Sequence, residues 1–273
     1  MVAALAAACG TPSADPAPTP VPPAAPVPAV PGIEAEAVRL RTDEAVPGRF
    51  QVRITDTGDD DFTVTAVALD SPGFAALPDT AVLATFAPGR VIDLPTPYGA
   101  PVCGTEPLPA AARLTLVRPG GQVESVRVPL AADVLDTVHE EECAVLAVAE
   151  VVDVRVAGLA DDGNAVSGTL TLTRRDGDQR VAATALGRSV LLDAAADALP
   201  LVLADGERSV STRVSFTPAT CDPHVLAETK KPYVFPLSVQ VADADPVPMD
   251  LPLDDAARDR LAALVQRACT AAG

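Results

Sequence analysis

From Glu34 onward the chain alternates apolar and polar residues in short runs. The stretches "AVRLRT", "FQVRITD" and "FTVTAVALD" have the two-residue period of half-buried antiparallel strands, and the polar turn "TGDDD" separates the last two. "RVIDLP" and "ARLTLVRPGGQVESVRVPL" continue the pattern, with Pro119-Gly120-Gly121 reading as a hairpin turn. The period changes at "AADVLDTVHEEEC", the first segment whose apolar positions fit a helix. No alternation of helix and strand precedes it, which disfavours a doubly wound parallel sheet.

The second half repeats the plan. "VVDVRVAGL", "AVSGTLTLTRRDGDQRVAATAL", "RSVSTRVSFTP" and "YVFPLSVQVAD" read as strands around turns, and "PLDDAARDRLAALVQRACTAAG" reads as a closing helix. In that helix Asp254 and Asp255 occupy N-cap and first-turn positions, and Arg267 suits the C-terminal end of the dipole. Ala257, Leu261, Leu264, Val265 and Ala268 form one apolar stripe that also carries Cys269. Cys103 and Cys221 each precede strands, then a Pro-Leu pair, then a helix bearing Cys143 or Cys269. This correspondence predicts an internal duplication. The fold class expected is mainly β: two tandem immunoglobulin-like antiparallel β-sandwich units, 34–148 and 149–273, each ending in an α-helix stapled by a disulfide. The apolar run "AVLAVAEVVDVRVAGL" between them holds Glu150, Asp153 and Arg155, so it reads as a short rigid connection and not as a membrane span.

Four internal cysteines allow three pairings, and the duplication selects Cys103 with Cys143 and Cys221 with Cys269. Such bonds point to an oxidising compartment. The fifth cysteine, Cys9, stands between an alanine run and a stretch from residue 10 to 32 built almost entirely of Pro, Ala, Val, Thr and Ser. That stretch cannot pack a core and is expected to be an extended tether with a reach of roughly 70 Å.

The segment Leu5-Ala6-Ala7-Ala8-Cys9 resembles the end of a bacterial lipoprotein signal, in which a leucine and two small residues precede the cysteine that receives lipid; here Leu5 stands one position further upstream. The resemblance implies that residues 1–8 are the remnant of a signal whose basic start lies upstream. It also implies that Cys9 is a lipid anchor and that 9–33 tether the folded part to the outer face of a membrane. It further implies a secreted, cell-envelope protein.

Charge narrows the partners. The chain carries 20 Lys and Arg against 37 Asp and Glu, a formal net charge of −17, and it has no tryptophan and 3% aromatics. Such a surface repels phosphate backbones and lacks base-stacking platforms, so no nucleic-acid partner is expected.

The search for chemistry gives few candidates. There are two histidines, His139 and His224, and neither lies in a hydrolase, zinc or phosphate-loop motif. "HEEEC" reads as a charged helix face ending in a disulfide, and "TGDDD" as a solvated turn lacking the spacing of an EF-hand. The most unusual stretch is "CDPHVLAETKKPYVFP", which holds both lysines of the chain. Its opening "CDPH" is similar to segments of uncharacterised secreted actinobacterial proteins, a short resemblance that implies no activity. Asp222, His224, Glu228, Lys230, Lys231 and Tyr233 form a candidate contact loop, in which the lysines could orient an acidic partner. The function expected is a non-catalytic, envelope-anchored binding or scaffolding module without cofactor or metal, facing an envelope protein or the cell wall. The alternatives are a solute- or metal-binding lipoprotein and, further off, an envelope hydrolase.

Overall fold

The computed structural model describes residues 25–43, 46–131 and 133–271. Cys9, the expected signal remnant and most of the expected tether lie outside them. The first sandwich opens with β1 (Ile33–Val38), β2 (Arg49–Asp56) and β3 (Phe62–Asp70). It continues with β4 (Thr80–Phe86), β5 (Val91–Pro97), β6 (Ala110–Val117) and β7 (Val123–Leu130). One sheet has the order β1-β2-β5, the other β4-β3-β6-β7, and all pairs are antiparallel. Ile33, at the expected end of the tether, is buried and already belongs to β1. The predicted hairpin at Pro119-Gly120-Gly121 joins β6 to β7, and both glycines take the positive φ that a side chain would resist.

The helix α1 runs from Asp133 to Val151, well past the expected "HEEEC" segment. It leads with no intervening residue into β8 (Val152–Asp162), followed by β9 (Ala165–Arg174), β10 (Val181–Leu186), β11 (Leu192–Ala196), β12 (Leu201–Leu203) and β13 (Ser209–Pro218). A short helix, α2 (Pro223–Glu228), precedes β14 (Pro236–Val241), β15 (Val247–Asp250) and the closing helix α3 (Asp255–Ala271). The sheets of this second unit have the orders β11-β13-β9-β8 and β12-β10-β14-β15.

The two units share one connectivity. In each, the first strand pairs with the second, the second with the antepenultimate one, and the third pairs with the penultimate, which pairs with the last. This is the Greek-key crossing of immunoglobulin-like sandwiches. Each unit has its own core of alternating inward residues: Phe50, Ile54, Phe62 and Leu114 in the first, Leu170, Leu172, Phe216 and Phe235 in the second. In α3 the predicted stripe packs as expected: Ala257, Leu261, Leu264 and Val265 are buried, contributing about 1.5–3 kcal/mol for each of the larger side chains. Asp254 caps that helix by accepting a bond from the Ala257 N–H at 2.7 Å. Arg267 does not serve the helix end. It reaches Asp161 of β8 at 2.6 Å, pinning α3 to the sheet edge.

Helix α1 belongs to both cores. Leu135 and Val138, in its first half, are buried in the first unit, while Val148, near its end, is buried in the second. An unbroken helix spanning two cores makes the junction stiff, and the boundary expected at 148/149 falls within it. His139 is not on a charged face. It is buried, edge-on to Phe74 at 5.5 Å between ring centroids.

Candidate functional site

The two disulfides form as the duplication predicted: Cys103–Cys143 with Cα atoms 5.6 Å apart and Cys221–Cys269 with 5.3 Å. Each ties the connection between the antepenultimate and penultimate strands to the terminal helix. Close backbone packing places the first connection. A Cβ on Gly99 would sit 2.1 Å from the carbonyl oxygen of Ala75, and one on Gly73 would sit 2.5 Å from Cα of Pro107. Only glycine permits that approach, so the 71–75 segment can bond the 100–102 segment through Ala75 N–H to Ala100 and Val102 N–H to Gly73.

The candidate contact loop is more ordered than its sequence suggested. Asp222 is the N-cap of α2: its Oδ1 accepts from the His224 N–H at 2.8 Å, and Pro223 takes the first helical position, where a missing N–H costs nothing. The Asp-Pro pair was the available signal for this helix. His224 is exposed on the first turn. Tyr233 is only half exposed, packs against the second core, and burial pushes its phenol up from the ordinary value, so it is as much a wall of the fold as a contact.

Glu228, Lys230 and Lys231 do converge. With Arg41, Thr42, Val190, Val225 and Thr229 they line a groove of about 600 Å³ between the two units. An adjoining hollow of about 440 Å³ shares Val190 and Lys231 and adds Arg188 and Asp250. Asp222, His224 and Tyr233 line neither. Arg41, Arg188 and Val190 were missed from sequence because they lie far from the lysines along the chain and carry no local motif.

Each wall of the groove is fixed from behind. On the first unit, the loop carrying Arg41 and Thr42 winds around the buried carboxylate of Asp43, which is 1% exposed. That carboxylate accepts from the Leu40 N–H at 3.0 Å, from Arg49 Nε at 3.0 Å and from the Gln51 amide. The same loop is tied to α1 by Arg39 and Glu141 at 2.5 Å. On the second unit, Ser189 is buried and its Oγ accepts from the Leu192 N–H at 3.0 Å, which holds the turn that presents Arg188 and Val190. Val190 is 46% exposed.

The charge of this surface is opposite to that of the chain. Among the described residues that line it, Arg41, Arg188, Lys230 and Lys231 outnumber the carboxylates Glu228 and Asp250, whereas the whole protein carries −17. Most arginines elsewhere are committed to carboxylates, for example Arg53 to Asp93, Arg113 to Asp79 and Arg127 to Asp70. Arg41 and Lys230 have no ion pair among the described residues, and Arg188 only a loose one to Asp193 at 3.6 Å. The hydroxyl of Thr229 is buried in the groove wall without a hydrogen-bond partner among the described residues. Such an arrangement can receive an anion and hydrogen-bond it, while Val190, Val225 and the lysine stems offer apolar contact.

The acidic stretches do something else. In "HEEEC", Glu141 pairs with Arg39 and Glu142 accepts from the Tyr98 hydroxyl at 2.8 Å, so the carboxylates diverge. At "TGDDD", the preceding Asp56 is buried and caps the turn through the Gly58 N–H at 2.9 Å, while Asp59, Asp60 and Asp61 are exposed. Among the described residues, no group of three or more His, Cys, Asp and Glu side chains is placed to hold a metal, and no helix is long and apolar enough to cross a membrane.

No family model and no curated protein matches the chain. Among solved structures it is similar to red sea bream transglutaminase at 13% identity and TM-score 0.24, over 80% of this chain and 29% of the enzyme. It is also similar to a Porphyromonas gingivalis W83 protein of unknown function at 15% identity and TM-score 0.21, over 80% and 97% of the two chains. The YadV chaperone aligns at 12% identity and TM-score 0.22, over 81% and 100%. The chain spans less than a third of the transglutaminase, and superpositions this loose carry no argument about activity.

Proposed function

We propose that this protein is an extracytoplasmic lipoprotein, anchored through lipid on Cys9, and that its paired sandwiches form a non-catalytic binding module. Its contact surface is the groove between the units, and its partner is an acidic segment of another envelope component. The observation that carries this reading is the collection of Arg41, Arg188, Lys230 and Lys231 on one concave surface of a chain with a net charge of −17. A local positive surface on a negative body orients an acidic partner as it arrives, because every other approach is repelled. Because α1 and the groove both span the two units, the binding surface is preorganised and little ordering entropy is lost on contact. The two disulfides support an oxidising location outside the cytoplasm.

The test is capture from intact cells with the full-length gene. Lys230→Glu together with Lys231→Glu should weaken capture of the partner and flatten its dependence on salt. Unchanged capture with unchanged salt dependence, in a variant that still folds by circular dichroism, would remove the groove from the proposal. The anchor is tested separately: Cys9→Ala should abolish labelling by radioactive palmitate and release the protein from the membrane fraction.

A further inference from the structure

The two disulfides close similar loops, but their surroundings differ in a way that bears on reactivity. Cys103 is exposed, on a turn at the surface, while Cys143 is half-buried with its Sγ 3.8 Å from Nε2 of His139, one helical turn back. His139 is held in place by the Phe74 ring and by the Val102 carbonyl, 3.3 Å from the same Nε2. In the second unit both cysteines are half-buried, and Cys269 Sγ lies 3.7 Å from the carbonyl oxygen of Thr220, which has no proton to give.

A disulfide is opened by a thiolate that attacks one sulfur in line and expels the other, so the rate depends on access to the first and on stabilisation of the second as it leaves. We propose that Cys103–Cys143 is a site of reversible S-thiolation: a small thiol reaches Cys103, and His139 stabilises Cys143 as the leaving thiolate. The attacking thiolate forms a new S–S bond with Cys103 Sγ, and the electron pair of the old bond passes to Cys143 Sγ. The Nε2–H of His139 turns from the Val102 carbonyl to the new thiolate. A second equivalent of thiol can attack the mixed disulfide. It leaves as the oxidised thiol dimer, and both cysteines are then reduced. The reverse reaction restores the staple, so the modification is a reversible mark on the helix that both cores share.

The charge beside the bond also selects the thiol. A cavity of about 300 Å³ lined by Gly104, Thr105, Glu106, Asp136 and Glu140 opens onto His139. Neither cysteine lines this cavity, but its three carboxylates set a negative field beside Gly104, the neighbour of Cys103, that repels an anionic thiol. The substrate class is therefore a neutral or cationic low-molecular-weight thiol, with cysteamine as the probe and glutathione as the anionic comparison.

The experiment treats the disulfide-intact protein with cysteamine for limited times, quenches with acid and maps the peptides by mass spectrometry. The adduct is expected on Cys103, with this bond opening about tenfold faster than Cys221–Cys269 and glutathione reacting more slowly. His139→Leu, which removes the donor, should slow the opening by about tenfold, and His139→Gln, which retains one, should restore part of the rate. An adduct on Cys143, prior opening of Cys221–Cys269, or an undiminished rate in His139→Leu would overturn the proposal. If His139→Leu fails to fold, the position of the adduct and the order of opening in the unaltered protein still decide it.

Discussion

Replacing Asp43 by alanine tests how the fold and the groove are linked. Its carboxylate is 1% exposed and organises three donors: the Leu40 N–H, Arg49 Nε and the Gln51 amide. Arg49 is partly exposed and can turn to water, so the damage falls on the other two. The buried Gln51 amide left without its acceptor costs about 1–3 kcal/mol and the Leu40 N–H less, because Leu40 lies at the surface, and the loss is offset in part because a buried carboxylate no longer has to be kept from water. The net expectation is a loss of about 1–3 kcal/mol. With a urea slope of about 2 kcal/mol per molar, the unfolding midpoint of the first unit should fall by about 0.5–1.5 M. Because the same carboxylate anchors the loop that presents Arg41, partner capture should weaken too, even in native buffer where the protein stays folded. Asp43→Asn, which keeps one oxygen for the Gln51 amide, should lie between. A midpoint shift below about 0.5 M together with full capture would show that the loop holds itself, and the reasoning about the groove wall would be wrong.

Removing both cysteines of either disulfide should cost about 4 kcal/mol by the loop-entropy argument, with the two pairs agreeing within a few tenths because the loops close 40 and 48 residues; urea titration of each double serine variant checks this. A loss under 1 kcal/mol from either would contradict it. Burial, and then the hydrogen bond to Glu142, hold the Tyr98 phenol well above its usual range. The folded state therefore keeps a proton that the unfolded state gives up near pH 10; this stabilisation is present below that pH and is lost as the pH rises above it. Urea melts between pH 9 and 11 should show declining stability of the first unit, with a shallower decline in Tyr98→Phe; equal slopes would refute the assignment.

Strands, hairpin and disulfide pairing were legible because each has a local physical signature. Inward residues of β2, β3, β9 and β13 alternate with outward ones, and the Pro-Gly-Gly turn allows one geometry. The closing helix was equally plain, since its stripe faces one core and its other side faces water. Helix α1 was only half legible. Its second half, "AVLAVAEVV", is rich in β-branched valine and apolar on several sides, which suggests a strand or a linker. Contact with a second core explains that composition, and no periodicity analysis of one unit includes it. The lysines of the groove were visible as an oddity of composition. Their neighbours Arg41 and Arg188 come from loops far away in sequence, fixed by the buried polar side chains Asp43 and Ser189, and only the folded chain brings them together.

The central claim, that the groove between the units is the contact surface, is tested most directly by a photo-crosslinking residue at Val190, in the groove, compared with one at Leu83. Leu83 is the large apolar residue left 84% exposed on the edge strand β4. In intact cells the Val190 probe should form a discrete adduct that disappears when Lys230 and Lys231 are changed to glutamate, and the Leu83 probe should not form it. An adduct at Leu83 alone, or one at Val190 that survives the charge reversal, would contradict the account.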